Sequence, residues 1–462
     1  MVTTMINDEI LSLVAERSGC SSVGSAYYTK IREWEDWWKG YYKPFHEFTE
    51  NGVGGMPVRR QLYRMNMAKK VCEDWAALLL NDRAMIFTGD EKADEFIHGV
   101  LASNDFLSGA NRLIEKAFAL GTGAVILRLS GDCGENGEIV PETCRIGFEW
   151  VDAGHIIPVS IKNGKITEAA FVSEGFIRGE EYVYIETHLL ENDGYVISND
   201  FFVRKNGKLV LSDDGEYCTG KFRTYSHTPL FAILTPNIQN NIDGSCGMGV
   251  SVYADATDCL CGVDLAFNNF CRDIKLGGKK VFINQSLVSR DEYGNIFTPD
   301  DVAQQLFVTI GDSDISDTAM ITEHNPELRA AENAQAVQCQ LNYLSFRCGL
   351  GTHHYIFDDS VSQTKMTATQ YMGERQDMRQ NAAKHQKNVT LFIKGIARAV
   401  LWAASDILGL DVDKNAPITV TYDDSYFTDS ESQRSRDLDE LKNGVITVDE
   451  FRQKWIGGND NG

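Results

Sequence analysis

The chain has 462 residues, with 66 Asp and Glu against 44 Lys and Arg, for a formal net charge of −22. A surface that grips nucleic acid through many phosphates is cationic, so this balance excludes a tight phosphate binder unless the basic residues are concentrated in one place. The 43% apolar content, with 7 Trp, 17 Tyr and 23 Phe, excludes a wholly disordered chain, and the length suggests about two to four domains.

Residues 1–13 carry Asp8 and Glu9 and lack a cationic start followed by an apolar core, so no secretory signal is expected. An aromatic helix is predicted over 28–42, where Ile31, Trp34, Trp38 and Tyr41 recur at three- and four-residue steps up to Gly40. A second helix is predicted from about Pro57 to Leu80, with Leu62, Met65, Cys72, Trp75 and Leu79 on one face and Arg59, Arg60, Arg64, Lys69 and Lys70 mostly elsewhere. Behind Asp105 a helix should run to a break at Gly121 and Gly123 and pass into a strand packed in an adjoining sheet. From Cys144 to Pro236 the period changes to two, and Asn163-Gly164, Asp193-Gly194 and Asn206-Gly207 mark hairpin turns. The first 250 residues therefore read as one α+β body.

Beyond Gly244, Gly247 and Gly249 a helix is predicted over 251–275, with Val252, Ala256, Leu260, Val263, Phe267, Phe270 and Ile274 on one stripe. A compact insert follows Gly277-Gly278: a strand VFINQSL, a turn at Gly294-Asn295, a small helix behind Pro299 and a strand QLFVTIG. A second helix after Pro326 carries Leu328, Ala331, Ala334, Val337, Leu341, Leu344 and Cys348 and ends at Gly349 and Gly351. Two helices of about 25 residues, each roughly 37 Å long, would thus bracket a small β knob. The loop THHYIFDDSVSQTK leads into a helical pattern from Met366 to about Leu408, apolar in its second half at Val389, Phe392, Ile393, Ile396, Val400, Ala403 and Ile407. Its first half carries Arg375, Arg379, Lys384 and Lys387. A strand PITVTYDD and short helices near 429–442 and 447–456 complete the pattern, with no repeat and no low-complexity tract.

Tests for chemistry return little. Every Gly-Lys pair lacks the following Ser or Thr of a phosphate-binding Walker loop, and the run Gly244, Gly247, Gly249 reads as a hinge rather than a phosphate turn. Cys259 and Cys261 have the wrong spacing for a zinc knuckle, and the 11 cysteines, without any CxxC pair, read as reduced thiols. His353-His354 beside Asp358-Asp359 has a metal or proton-relay reading and a plainer one as a solvated polar loop. The stretch 389–410 is interrupted by Lys394, Arg398 and Asp406, which argues against a membrane span. No HExxH, no GxSxG and no convergent carboxylates are found, so no catalytic site, metal or cofactor is expected.

The order of elements, together with WEDWWKGY at 34–41, KKVCEDWAALLLND at 69–82, FALGTGAVI at 118–126, the run 247–284, NPELRAAENAQ at 325–335, YLSFRCGLGTHHYIFDD at 343–359, KMTATQ at 365–370, ITVTYDDSYFTDSES at 418–432 and GVITVDEFRQKW at 444–455, resembles the portal proteins of long-tailed bacteriophages and prophages of Gram-positive hosts. The stretch 173–228 departs from that pattern. The resemblance implies an α+β portal fold: a wing over 1–250, stem helices at 251–275 and 326–350, a clip at 276–325, a tunnel loop at 351–366, a long wing helix and strand at 367–424, and a short crown at 425–462. It implies a ring, typically of twelve subunits, at one capsid vertex of the virion, assembled in the host cytoplasm. Duplex DNA would pass through it, the terminase large subunit and later a head-tail adaptor would dock on the clip, and major capsid and scaffolding proteins would surround it.

Under this resemblance His353, His354, Tyr355, Asp358, Asp359 and Lys365 are expected to line the narrowest part of the channel. Leu260, Val263, Phe267, Phe270, Leu341 and Leu344 are expected to pack between subunits. Arg375, Arg379, Lys384 and Lys387 have two readings, pairing with an acidic neighbouring subunit or contacting phosphate. A sliding duplex also calls for a channel wall mostly acidic or neutral, with positive charge in narrow bands. The rivals are a non-viral helical scaffold or adaptor, and a nucleic-acid-processing enzyme using Asp255, Asp258 and Asp264, which do not converge on a helix.

Overall fold

The computed structural model describes residues 6–19, 23–51, 56–80, 84–132, 140–177, 179–212, 220–278, 280–284, 306–309, 321–357, 368–422 and 438. Helix α1 (Asp8–Ser18) is capped by Asn7, whose side chain accepts from Ile10 N–H, and buries Ile10 and Val14. The expected aromatic helix is present as α2 (Ser25–Trp38), but it starts and ends earlier: it buries Tyr27, Tyr28, Ile31, Trp34 and Trp37, while Trp38 is only partly covered and Tyr41 lies beyond its end. A single turn, α3 (Lys43–His46), then feeds a ribbon of β1 (Glu47–Asn51) and β2 (Pro57–Gln61), paired antiparallel from Glu47 with Gln61 to Asn51 with Pro57.

The ribbon corrects the helix expected from Pro57. Helix α4 (Met67–Leu79) begins only after Asn66, whose φ of 55° lies in the left-handed region and breaks any helix arriving from Pro57. The apolar spacing that suggested one long helix belongs to α4 alone. Strand β3 (Met85–Phe87) and α5 (Glu91–Ser103), capped by Asp90, lead to α6 (Phe106–Leu120). Helix α6 is the centre of the body: Phe106, Ala110, Ile114, Ala117 and Phe118 are buried, and the ring of Phe118 meets that of Trp75 at 5.9 Å.

As expected, α6 ends at Gly121 and turns into β4 (Gly123–Ser130). Gly121 has φ 87°, and a Cβ there would run into the carbonyl oxygen of Gly249, so two main chains meet where no side chain fits. Strand β4 lies between β5 (Arg145–Asp152) and β12 (Phe231–Leu234), both antiparallel to it. A second, antiparallel sheet holds β6 (Ile156–Lys162), β7 (Lys165–Ile177), β8 (Glu180–Glu191), β9 (Gly194–Lys205) and β10 (Lys208–Leu211) in meander order, with β11 (Gly220–Arg223) also on β9. Asn163, Gly164, Asn206 and Gly207 all have positive φ, the condition for the tight turns read from those pairs. The third turn falls one residue earlier than expected: Glu191 pairs with Gly194, so Asn192 and Asp193 form the turn. Much of 173–228, which departs from the resemblance, forms these long strands.

The region after the glycine run opens differently from the expected helix over 251–275. Val252 N–H donates to Phe118 O and the Tyr253 hydroxyl donates to Trp34 O, so these residues tie into the body. Helix α7 (Thr257–Leu276) follows, and α8 (Ala330–Arg347) returns beside it; at 20 and 18 residues they span roughly 30 and 27 Å, shorter than expected. Their antiparallel pairing is fastened at both ends. The Asp273 carboxylate accepts from Arg329 and Asn333, and Arg347 donates to Asp255 O.

Between α7 and α8 lie β13 (Lys280–Asn284), β14 (Leu306–Thr309) and β15 (Ile321–His324) in the order β14-β13-β15, with β13 and β14 parallel. The expected turn at Gly294-Asn295 and the helix behind Pro299 lie outside the described residues. Helix α9 (Ala368–Trp402) is followed by a wider π turn at Ala403–Ile407. Val389, Phe392, Ile393, Ile396, Val400 and Ala403 are buried as expected and Ile407 partly so, a gross burial on the order of 10 kcal/mol. Strand β16 (Thr419–Thr421) pairs with β3. The short helices expected at 429–442 and 447–456 lie outside the described residues, except Leu438. The fold is α+β, and among the described residues no helix is long and apolar enough to cross a membrane.

Candidate functional site

Two residues beyond the end of α8, Gly349 has a φ of 81° and turns the chain out of the helix. That turn is fixed from two sides: Trp75 Nε1 donates to Cys348 O at 3.1 Å and Asn381 Nδ2 donates to Gly349 O at 3.0 Å. The next residues are stitched by one amide. Gln338 Nε2 donates to Tyr355 O at 2.7 Å, and Gln338 Oε1 accepts from Phe357 N–H at 2.8 Å, so a side chain on α8 stands in for a neighbouring strand. Phe357 then meets the edge of Phe270 on α7.

Asp74 on α4 anchors the histidine segment, lying 3.3 Å from His354 Nε2 and paired with Lys70. Burial alone pushes the Asp74 carboxyl up, but hydrogen bonds from His354 and Lys70 outweigh it and hold the group below its ordinary range. Burial first, and the Asp74 charge second, drive the Tyr355 phenol far above its ordinary value, so it stays neutral.

These positions correct part of the channel expectation. Tyr355 is buried inside the chain and His354 is half-covered, while His353 is exposed. Asp358, Asp359 and Lys365 lie outside the described residues. The inter-subunit expectation is corrected too. Leu260, Val263, Leu341 and Leu344 are buried within the single chain, so these four side chains close on their own body, whereas Phe267 and Phe270 are only partly buried against the same core.

On α9, Arg379, Lys384 and Lys387 are exposed and make no ion pair among the described residues; the Arg375 side chain lies outside them. The adjacent His385 points inward, its ring 4.9 Å from Trp75 and 5.0 Å from Phe118, and its Nδ1 accepts from Asn237 N–H at 3.0 Å. Burial, with Lys384 adding to it, lowers its pKa to about 4, so it is a neutral part of the core at pH 7. Trp75 therefore touches both the loop turn and α9, which makes α4 the shared support of the two.

Helix α7 is held by a buried polar pair. His46 Nε2 lies 3.0 Å from Asp264 Oδ2, a carboxylate oxygen that can only accept, and His46 Nδ1 lies 2.8 Å from Tyr42 N and 3.0 Å from Tyr42 O. Asp264 Oδ1 accepts from Met65 N–H at 2.8 Å, and Asn268 Oδ1 accepts from Tyr63 N–H at 3.2 Å. Asp255, on the 3-10 turn before α7, and Asp258, in the first turn of α7, are exposed, whereas Asp264 is buried, so the three aspartates do not converge. Among the described residues no three His, Cys, Asp or Glu side chains gather as metal ligands would.

A polar cavity of about 280 Å³ between the two body sheets is lined by Arg128, Glu149, Asp152, His155, Glu174 and Glu186 among others. Arg128 pairs with Glu149 and Glu186, and His155 Nδ1 lies 2.7 Å from Asp152 Oδ1. The hydrogen bond to Asp152 raises the His155 pKa, against an opposing effect of burial. Burial pushes Asp152 up, but His155 and Lys116 together bring its carboxyl below the usual range. The raised histidine contributes stability below its unfolded pKa of about 6.5 and loses it as pH rises through the folded value; the lowered aspartate contributes above about 4 and loses it as pH falls. His155→Gln is therefore expected to depress the melting temperature most between about pH 5 and 6.5 and progressively less above it. A depression that is flat from pH 5 to 8 would contradict this account.

Sequence reasoning missed Asp74, Gln338, His46 and Asn268. Only the polar stripe of Asp264, Asn268 and Arg272 at four-residue steps on α7 offered a signal. No protein-family model matches the chain, and no curated protein matches it.

Proposed function

We propose that the chain is the subunit of a phage-type portal, a ring, typically of twelve copies, at one capsid vertex through which duplex DNA is packaged and later ejected. The observation that carries this reading is the order of parts. An α+β body gives out an antiparallel helical hairpin with a small sheet between its arms, and the next helix in the chain after the turn at the foot of that hairpin has 35 residues. A turbine-like ring needs such a layout, because each subunit must offer two different faces to its neighbours and still send a stem and a loop toward the axis. The terminase large subunit and later a head-tail adaptor would meet the knob at 276–325, and capsid and scaffolding proteins would meet the body. Negative-stain images of the purified protein are expected to contain rings with a central hole; a persistent compact monomer would overturn the reading.

The exposed cations of α9 fit pairing with an acidic face of the next subunit, since no carboxylate of the same chain neutralises Arg379, Lys384 or Lys387 among the described residues. Alanine at all three is expected to make rings dissociate at lower salt than the wild type, as read by mass photometry across a salt series. Rings of unchanged salt tolerance that hold DNA differently would assign these side chains to phosphate instead.

A further inference from the structure

The β1–β2 ribbon has no reason to stand where it does on its own account. All of β2 is exposed, including Val58 and Arg59, and β1 is only partly covered; a two-stranded ribbon on its own is marginal in water. Its charge is also unlike that of the rest of the chain: residues 56–70 hold five Lys and Arg and no Asp or Glu, in a protein of net charge −22. Arg60 pairs with Glu50, but Arg59 makes no ion pair among the described residues, and Tyr63, four residues on, is 45% exposed.

The ribbon is placed by α7. Asp264 and Asn268, which hold Met65 and Tyr63, lie roughly 120° to 180° around the helix from Gly262 and Asp273, which face α8. The order across this part of the molecule is therefore ribbon, α7, α8, and the ribbon cannot reach the α8 of its own chain. Helix α8 carries a second stripe opposite its buried one: Glu332, Cys339, Tyr343 (57% exposed) and Phe346 (63% exposed). Glu332 makes no ion pair among the described residues. The contacts of Asp273 with Asn333 and of Gly262 with Gln340 set the levels along the hairpin. They put Asn268, and Tyr63 beside it, at the height of residues near 336.

We propose that the β1–β2 ribbon is an arm that docks on a second copy of this chain, lying across the outward stripe of that copy's α8 with Arg59 toward Glu332 and Tyr63 over Cys339. The inference rests on the ring reading for its geometry. A rotation about an axis along the hairpin keeps every residue at its own height, so arm and stripe, which share a level on one copy, meet between copies. The pairing is heterologous, as a ring requires, and it joins the unpaired cation of one copy to the unpaired acid of the next.

The test is Tyr63→Cys treated with a short bis-maleimide and run on a denaturing gel, beside the wild type and the Tyr63→Cys, Cys339→Ser double variant. The expected result is a ladder of cross-linked multimers that the double variant loses. In parallel, Arg59→Glu is expected to raise the protein concentration at half-assembly at least tenfold, and adding Glu332→Arg should restore most of it. Assembled Tyr63→Cys protein without a Cys339-dependent ladder, or a charge reversal that Glu332→Arg does not rescue, overturns the arm and leaves the ring. Protein that remains monomeric at micromolar concentration overturns both.

Discussion

Asp264→Ala is expected to cost the protein about 2 to 6 kcal/mol of unfolding free energy, two stranded donors at about 1–3 kcal/mol each, the largest loss for any single side-chain truncation at the surface between ribbon and hairpin. The carboxylate is buried and serves two donors, His46 Nε2–H at 3.0 Å and Met65 N–H at 2.8 Å. Alanine strands both away from water, and a buried donor left without a partner costs about 1–3 kcal/mol. Asp264→Asn keeps the side-chain oxygen for one donor but turns an amide N–H₂ toward the other, so its loss should be smaller than that of alanine yet still above about 1 kcal/mol. Chemical denaturation of the three proteins checks the order. An alanine variant within 1 kcal/mol of the wild type would mean that water reaches His46 and Met65 and that the pair is no fastening.

The second large effect is expected at Gly121. Alanine there must adopt φ 87° and must also push its Cβ into the carbonyl oxygen of Gly249. The left-handed conformation costs a non-glycine residue roughly 1–2 kcal/mol, and displacing a packed main chain adds about 1–3 kcal/mol more. Gly164 separates the two contributions, because it has φ 72° with nothing within 4 Å of its would-be Cβ. Gly164→Ala should therefore lose only the conformational part, and Gly121→Ala at least twice as much. Equal losses at the two sites would show that the close approach of the 121 and 249 segments yields freely.

What the sequence disclosed depended on how local the cause was. The turns at Asn163-Gly164 and Asn206-Gly207 were legible because two adjacent residues able to hold positive φ are enough to make them. The buried half of α9 was legible because its apolar spacing runs unbroken from Val389 to Ala403. The ribbon at 57–61 was not. A strand exposed on both faces carries no alternation, and Leu62 and Met65 after it happened to continue the helical spacing of α4 backwards. The stripe of Leu260, Val263, Leu341 and Leu344 was read correctly as one packed face and wrongly as a contact between copies, since periodicity gives the face and never the partner. Asp74 and Gln338 were hidden for a related reason: the loop they hold is distant in sequence from Asp74, and nothing in the spacing of either residue marks a hydrogen bond formed only after the chain has folded.

The hairpin is covered unevenly along its length. Leu260 and Val263, near its foot, are sealed against the body, whereas Ile274 and Leu276, near the knob, are each 53% exposed. Local opening should follow that gradient. In a single chain the amides of α7 beyond about residue 270 should exchange with solvent hydrogen well before those around 260–264, so the hairpin frays from the knob inward. Once copies close around one another, the outer amides should slow toward the inner ones. The exchange profile along one helix would then register how far assembly has gone.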